Sequence, residues 1–162
     1  MLSTLLTHAS WLPATVLLVL LLAGPFIGAA IAPCRRLLWA LFTVSVIAVG
    51  GLTLYPEGGA VGRVTCTPGV PYFALGAVET LANVLLFIPP VLLAGVLFRR
   101  PLLAVLGGSV LSALIEFLQA VAPIIGRACD TGDWITNTIG AVLGGLIAGA
   151  ALALKRRSRA TS

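Results

Sequence analysis

The chain carries a glutamate, Glu116, inside a long apolar run, where a carboxylate is costly. A charged residue at the centre of a membrane-spanning helix costs about 2.5–3.5 kcal/mol on insertion scales, and less near the membrane edge. Seven further strongly polar residues lie between positions 79 and 137, away from the basic pairs: Glu79, Asn83, Gln119, Arg127, Asp130, Asp133 and Asn137. We take all eight as candidates for a binding site and assign none of them a catalytic role.

These residue types support three kinds of chemistry. The arginine offers a planar fork for a phosphate or carboxylate. Two neighbouring carboxylates could act as acid and base if burial raises the pKa of one of them. Several carboxylates with amide oxygens could instead hold Ca²⁺ or Mg²⁺. The sequence shows no Ser-His-Asp or Cys-His set and no phosphate-binding glycine loop. The cofactor is therefore unknown, a divalent cation is only weakly indicated, and no metal ligands are assigned.

The composition indicates an integral membrane protein. Of 162 residues, 59% are hydrophobic and 9% are charged, whereas soluble domains have about 25% charged residues. The net charge is +5, but the basic residues occur in short groups beside apolar runs, at Arg35-Arg36, Arg99-Arg100 and Lys155–Arg157. Such groups are typical of topology signals and of contact with anionic membrane lipids. No basic face with aromatic residues is present, so no nucleic-acid partner is expected.

Five apolar runs predict an all-α fold, a polytopic transmembrane bundle of about five helices. The runs lie at 12–32, 37–54, 77–98, 102–122 and 134–154, and each is near the ~20 residues that cross a ~30 Å hydrocarbon core. We expect one transmembrane domain over 1–154 and a disordered basic tail over 155–162. Small residues four apart, at Gly140/Gly144 and Gly145/Gly149, favour close helix packing and allow a homo-oligomer.

The basic groups also predict the orientation. If all three are cytoplasmic, the N-terminus lies outside, the C-terminus lies inside, and the loops at 55–76 and 123–133 face the exterior. The polar residues then lie near the outer ends of the third, fourth and fifth runs. Helical spacing places Glu79 with Asn83, and Glu116 with Gln119, on shared faces. We therefore predict one polar cluster near the outer membrane surface.

Structural alternatives stay open for these residues. Asp133 is a good N-cap for the fifth helix. Arg127 has the alternative role of neutralising Glu116 or Asp130. The amides Asn83, Gln119 and Asn137 could serve as hydrogen bonds between helices.

The prolines and cysteines give two further expectations. Pro89-Pro90 lies inside the third run and should produce either a packing kink or a bend that opens a cavity. Cys66 and Cys129 both fall in the predicted external loops, where an oxidising environment permits a disulfide between them. The competing interpretation is two unreactive small residues.

Three segments resemble the VanZ-like family. Residues 82–89 (ANVLLFIP) resemble its third-helix motif, 115–119 (IEFLQ) its E-x-x-Q, and 127–140 (RACDTGDWITNTIG) its R-x-x-D-x-x-D-x-x-x-N-x-x-G pattern. The resemblance covers about 79–150. The family is named for a membrane protein linked to resistance to the glycopeptide antibiotic teicoplanin. The resemblance implies a multi-pass protein of the bacterial plasma membrane and cell envelope.

Three functions follow as hypotheses. The first is a protein that binds membrane lipids, a lipid-linked cell-wall precursor or a glycopeptide at the outer polar cluster and modulates teicoplanin susceptibility. The second is an intramembrane hydrolase acting on a lipid-linked substrate. The third is a small transporter or flippase with Glu116 as a proton site.

Overall fold

Five long apolar helices make up the fold. A computed structural model describes residues 11–55, 66–67, 69, 78–122 and 129–160. The helices are α1 (Leu12–Ile31), α2 (Arg35–Leu54), α3 (Val78–Phe98), α4 (Pro101–Val121) and α5 (Thr131–Ala160). All five are long and apolar enough to cross a membrane. The predicted all-α bundle of five transmembrane helices is therefore confirmed.

The fifth helix is longer than the sequence predicts. It begins at Thr131 and continues to Ala160, so the expectation of a disordered tail from 155 is wrong for 155–160. Lysine, arginine and alanine are good helix formers, and no glycine or proline follows Gly149 to end the helix. Arg157 and Arg159 lie in the last turn, where positive charge interacts favourably with the helix dipole.

The centre of the bundle is the contact between α3 and α5. Four of the buried residues of α3 are spaced four apart and share one face: Val84, Ile88, Leu92 and Val96. They pack with Ile147, Ala148 and Ala151 of α5 in one apolar core. Lipid tails are as apolar as these side chains, so association here depends on close van der Waals packing rather than on the hydrophobic effect.

Glycines allow that close packing. A Cβ added to Gly140 would collide with the backbone carbonyl of Val84, and one added to Gly144 would lie 2.6 Å from the carbonyl oxygen of Ile88. Gly145 packs closely against the side chain of Val105 in α4. No atom lies within 4 Å of a Cβ added to Gly149, so Gly149 has no such packing contact within the described part of the chain, and a contact with a second copy stays a prediction.

The two prolines of α3 stay within one helix, and Pro89 borders a cavity. Pro90 is buried, and Pro89 lines an apolar cavity of about 410 Å³ between α1, α2 and α3. Proline has no backbone N–H, so Pro89 and Pro90 cannot donate to the carbonyls of Leu85 and Leu86. Both leucines also line this cavity. Pro89 thus borders a cavity on the apolar side of the bundle, while the choice between a packing kink and a bend stays a prediction.

A short strand pair joins the two connections at the end of the bundle where α3 and α5 begin. Strand β1 (Cys66–Thr67) pairs in parallel with β2 (Cys129–Asp130), with Cys66 opposite Cys129. The side chains of both cysteines lie outside the described part of the chain. Neighbouring strands are about 4.8 Å apart, which falls within the Cα separations that disulfides span. The backbone register therefore supports the predicted bridge, which stays a prediction.

We expect Gly140→Ala to destabilise the bundle and Gly149→Ala to leave it unchanged or slightly more stable. The Cβ at 140 has no room beside the Val84 carbonyl, a kind of overpacking that costs about 1–3 kcal/mol. At 149 only the gain in helix propensity, about 0.5–1 kcal/mol, applies. Unfolding of both variants in detergent micelles measures this difference. Equal stability of the two variants would contradict the packing described for Gly140.

We also predict that the oxidised protein runs faster on a non-reducing gel than its reduced form. Cys66→Ser and Cys129→Ser should each abolish that shift, because each removes one partner of the bridge. Cys34→Ser is the control, since Cys34 is an exposed free thiol at the opposite end of the bundle. A shift that survives either Cys66→Ser or Cys129→Ser would exclude the bridge.

Candidate functional site

Polar side chains from three helices and one strand meet at the end of the bundle where α3 and α5 begin and α4 ends. We call this set the polar cluster and define it as Asn83, Glu116, Asp130 and Asp133. Asn83 lies in the second turn of α3, Glu116 near the end of α4, Asp130 in β2 and Asp133 in the first turn of α5. The cluster therefore connects all three helices of the C-terminal half of the chain.

Glu116 joins α4 to the start of α5. Its Oε2 accepts a hydrogen bond of 2.9 Å from the backbone N–H of Asp130. The side chain is 7% exposed. A hydrogen bond to an ionised carboxylate is roughly twice as strong as one between neutral groups. This bond gives the buried carboxylate a partner and fixes the backbone of β2 against α4.

Asp130, rather than Asp133, caps the fifth helix. Oδ1 of Asp130 accepts a 2.7 Å hydrogen bond from the backbone N–H of Gly132, the contact that an N-cap side chain makes with the second residue of a helix. The alternative in which Asp133 is the cap is therefore wrong. The helix begins three residues earlier than the apolar run predicted, which places Asp133 in its first turn.

The side chain of Asp133 instead reaches α3. Asn83 Nδ2 donates a 2.7 Å hydrogen bond to Asp133 Oδ1. Asp133 is exposed and Asn83 is half-buried, so this pair forms the accessible part of the polar cluster. A negative charge in the first turn of α5 is also favoured by the helix dipole.

The loop residue Gly69 rests against the same helix start. Its backbone N–H donates a 3.0 Å hydrogen bond to Thr131 Oγ1. A Cβ at this position would collide with the carboxylate of Asp130. Neither Gly69 nor Thr131 is among the residues predicted from the sequence. For Gly69 the reason is that a single glycine in a long loop gives no signal of its position in the fold.

Asn137 lies one turn below Asp133 and is buried. Its Nδ2 donates a 3.0 Å hydrogen bond to Ser112 Oγ of α4, so it links helices, as the structural alternative held. Asn137 Oδ1 is buried without a hydrogen-bond partner in the described part of the chain. Ser112 was missed as a polar contact, although its position four residues before Glu116 places it on the same helix face.

Gln119 contacts a different helix from the other candidates. Its Nε2 donates a 2.8 Å hydrogen bond to the backbone carbonyl of Thr53 near the end of α2. The last four carbonyls of a helix lack partners within the helix, so Gln119 satisfies one of them. Like Asn137, it serves as a hydrogen bond between helices. Thr53 was also missed, because sequence spacing on α4 does not reveal the position of α2.

Two candidates lie apart from these contacts. Glu79 is exposed in the first turn of α3, a position that the helix dipole favours. Arg127 lies outside the described residues, so its predicted ion pairs stay predictions. Among the described residues, no three His, Cys, Asp or Glu side chains are grouped closely enough to hold a metal ion.

The accessible carboxylate of the polar cluster, that of Asp133, accepts hydrogen bonds. An ionised carboxylate has about four acceptor sites, and Asn83 occupies one of those of Asp133. Such a surface suits a ligand with hydroxyl or ammonium donors. The hydrogen bond from the backbone N–H of Asp130 to the buried Glu116 fixes the start of α5, which carries Asp133.

Comparison with known proteins agrees with the sequence motifs. The family model described as VanZ/LLP1 matches residues 39–152, which is more than two thirds of the chain. This match confirms the resemblance and extends it into α2. No curated protein matches the chain, and no solved structure matches it.

We expect a double-mutant cycle between Asn83→Ala and Asp133→Ala to show a coupling of about 1 kcal/mol, the scale of hydrogen bonds between membrane helices. Glu79→Ala paired with Asp133→Ala is the matched control, and its coupling should stay within about 0.3–0.5 kcal/mol. Unfolding free energies in micelles give both values. Equal coupling in the two pairs would show that the Asn83 contact has no specific effect.

Proposed function

Since the chain belongs to the VanZ/LLP1 family and has five apolar helices that can span a membrane, we propose that it binds an envelope molecule at the polar cluster. The ligand class is a headgroup rich in hydroxyl and ammonium donors. A lipid-linked cell-wall precursor and a glycopeptide both have this chemistry. Binding of either would modulate teicoplanin susceptibility.

The single observation that carries this proposal is the exposed carboxylate of Asp133, which Asn83 orients at 2.7 Å. A charged side chain held in one rotamer loses less conformational entropy when a ligand binds, so its contacts contribute more to affinity. The helix that bears it is fixed in turn by the buried Glu116 through Asp130. Fixed acceptors on rigid elements are what selective recognition of a polar headgroup requires.

The proposal also includes Arg127, which is placed by the sequence alone. It lies three residues before Asp130 in the chain, and its guanidinium would bind an anionic part of the same ligand, such as a phosphate. The hydrolase and flippase alternatives draw no support from a specific contact among the described residues. Binding is therefore the function that we propose.

The proposal predicts a loss of ligand binding in Asp133→Asn and Arg127→Ala. Each should weaken binding of a labelled lipid-linked cell-wall precursor about tenfold, which corresponds to about 1.4 kcal/mol, and should change teicoplanin susceptibility in the same direction as deletion. Glu116→Gln should act more weakly on the ligand, since its contact is with the Asp130 backbone.

Glu79→Gln is the matched control, because it neutralises an exposed carboxylate at the same end of the bundle but outside the polar cluster. It should bind the precursor as the parent chain does. Parental binding and parental susceptibility in both Asp133→Asn and Arg127→Ala would remove the proposal.

A further inference from the structure

The end of the bundle opposite the polar cluster contains a cavity of about 720 Å³. It lies between the end of α1, the start of α2, the end of α3 and the last turns of α5. Its lining includes five cationic side chains: Arg35, Arg99, Lys155, Arg156 and Arg159. Ligand cavities in proteins have volumes of about 300–1,000 Å³, so this one has room for a headgroup.

Among the described residues, no acidic side chain lies near enough to balance Arg35, Arg99, Lys155 and Arg156. The five acidic residues of the chain are Glu57, Glu79, Glu116, Asp130 and Asp133. None belongs to α1 or α2. Glu79 and Asp133 lie in the first turns of α3 and α5, about 30 Å from the ends that line the cavity at 1.5 Å per residue. Like charges therefore line the cavity, and an anion among Arg35, Arg99, Lys155 and Arg156 would reduce their mutual repulsion.

One of these cations occupies an unfavourable backbone conformation. Arg99 has a φ of 55° in the two-residue turn between α3 and α4. The left-handed region costs a residue with a Cβ roughly 1–2 kcal/mol, and glycine is the residue usually found after a helix end. Arginine at this position places a cation in the cavity lining at an energetic cost. Strain retained in this way indicates a functional requirement.

The first turn of α2 contributes further positive potential. The helix begins at Arg35 beside the cavity, has no side-chain cap hydrogen bond and has no acidic residue in its first turn. Backbone N–H groups at a helix start carry partial positive charge and bind anions. Arg35 in this turn reinforces that charge instead of neutralising it.

The rest of the lining is apolar. Leu38, Val96, Leu97, Phe98 and Leu152 lie beside the cations in the same cavity. A small soluble anion has no apolar part to cover such a surface. A lipid does, since its phosphate would bind the guanidinium groups while the first carbons of its chains cover the leucines and the phenylalanine.

We propose that this cavity is a second binding site, which takes the phosphate headgroup of an anionic membrane lipid. Arg35, Arg99 and Arg156 bind the phosphate oxygens, in the planar fork geometry that arginine offers, and Lys155 adds a point charge. This site is independent of the polar cluster and of the function proposed for it.

Each of these three arginines has an arginine neighbour that lies outside the lining. Arg36, Arg100 and Arg157 are all described by the structure and do not line the cavity. Replacing one arginine of each pair by glutamine therefore gives two triple variants with the same net charge and the same charge in each basic segment. The cavity variant is Arg35→Gln/Arg99→Gln/Arg156→Gln, and the control is Arg36→Gln/Arg100→Gln/Arg157→Gln.

The test measures binding of phosphatidylglycerol to the full chain in nanodiscs of phosphatidylcholine, by native mass spectrometry and by the shift in melting temperature. The parent chain and the control should retain phosphatidylglycerol, and the cavity variant should lose at least tenfold in affinity. Equal loss in the two triple variants would show general charge attraction and overturn the proposal. Inorganic phosphate is the second probe, and stabilisation by it equal to that by phosphatidylglycerol would exclude a lipid as the ligand.

Arg99→Gly separates binding from folding. Glycine accepts the positive φ at this turn, so the variant should fold at least as well as the parent chain while its affinity for phosphatidylglycerol falls several-fold. Arg100→Gly is the matched control and should keep parental affinity. A stable Arg99→Gly protein that binds phosphatidylglycerol as the parent does would contradict the proposal.

Discussion

The rest of the structure depends on how closely α3 and α5 approach each other. The two helices run parallel, because Asn83, Val84 and Ile88 of α3 meet Asp133, Gly140 and Gly144 of α5 in the same order. A larger residue at Gly140 would separate the helix axes. Asp133 lies two turns before Gly140 on the same face, so the glycine contact also sets the distance at which Asn83 reaches Asp133. Packing in the membrane interior thus determines the geometry of the polar cluster at its edge.

The two ends of this bundle have opposite chemistry. The acidic residues of the described helices gather at the end where α3 and α5 begin, and basic residues line the cavity at the other end. Buried charge is tolerated at the first end because Glu116 accepts a backbone N–H. At the second end the described lining of the cavity holds cations and no acidic residue, and an anionic lipid is the ligand that we propose for it. The two ends of the bundle thus differ in the charge of the residues that they carry.

Much of this arrangement is predictable from the sequence, and the remainder depends on contacts between segments. The five helices follow from uninterrupted apolar runs, since a bilayer leaves few alternatives to a spanning helix. Helical spacing and the alternating direction of successive helices predict that Asn83, Glu116 and Asp133 lie near the same end.

The hydrogen-bond partners of the polar residues are not predictable in this way. Gln119 bonds to the Thr53 carbonyl, and Asp130 takes the cap expected of Asp133, because a helix start and a neighbouring helix are fixed by tertiary packing. The sequence predicts a disordered basic end after the last apolar run, whereas residues 155–160 continue the helix, because lysine, arginine and alanine are themselves good helix formers.

The polar cluster and the basic cavity lie at opposite ends of one bundle of helices that can span a membrane. Labelling of single cysteines in intact cells, with a membrane-impermeant maleimide and with Cys34, Cys66 and Cys129 replaced by serine, tests this arrangement. Cysteines at the exposed positions 79 and 133 should react from the same side of the membrane. Cysteines at the exposed positions 99 and 156 should react from the other side alone. Labelling of 79 and 133 from different sides, or of 133 and 156 from the same side, would contradict the account.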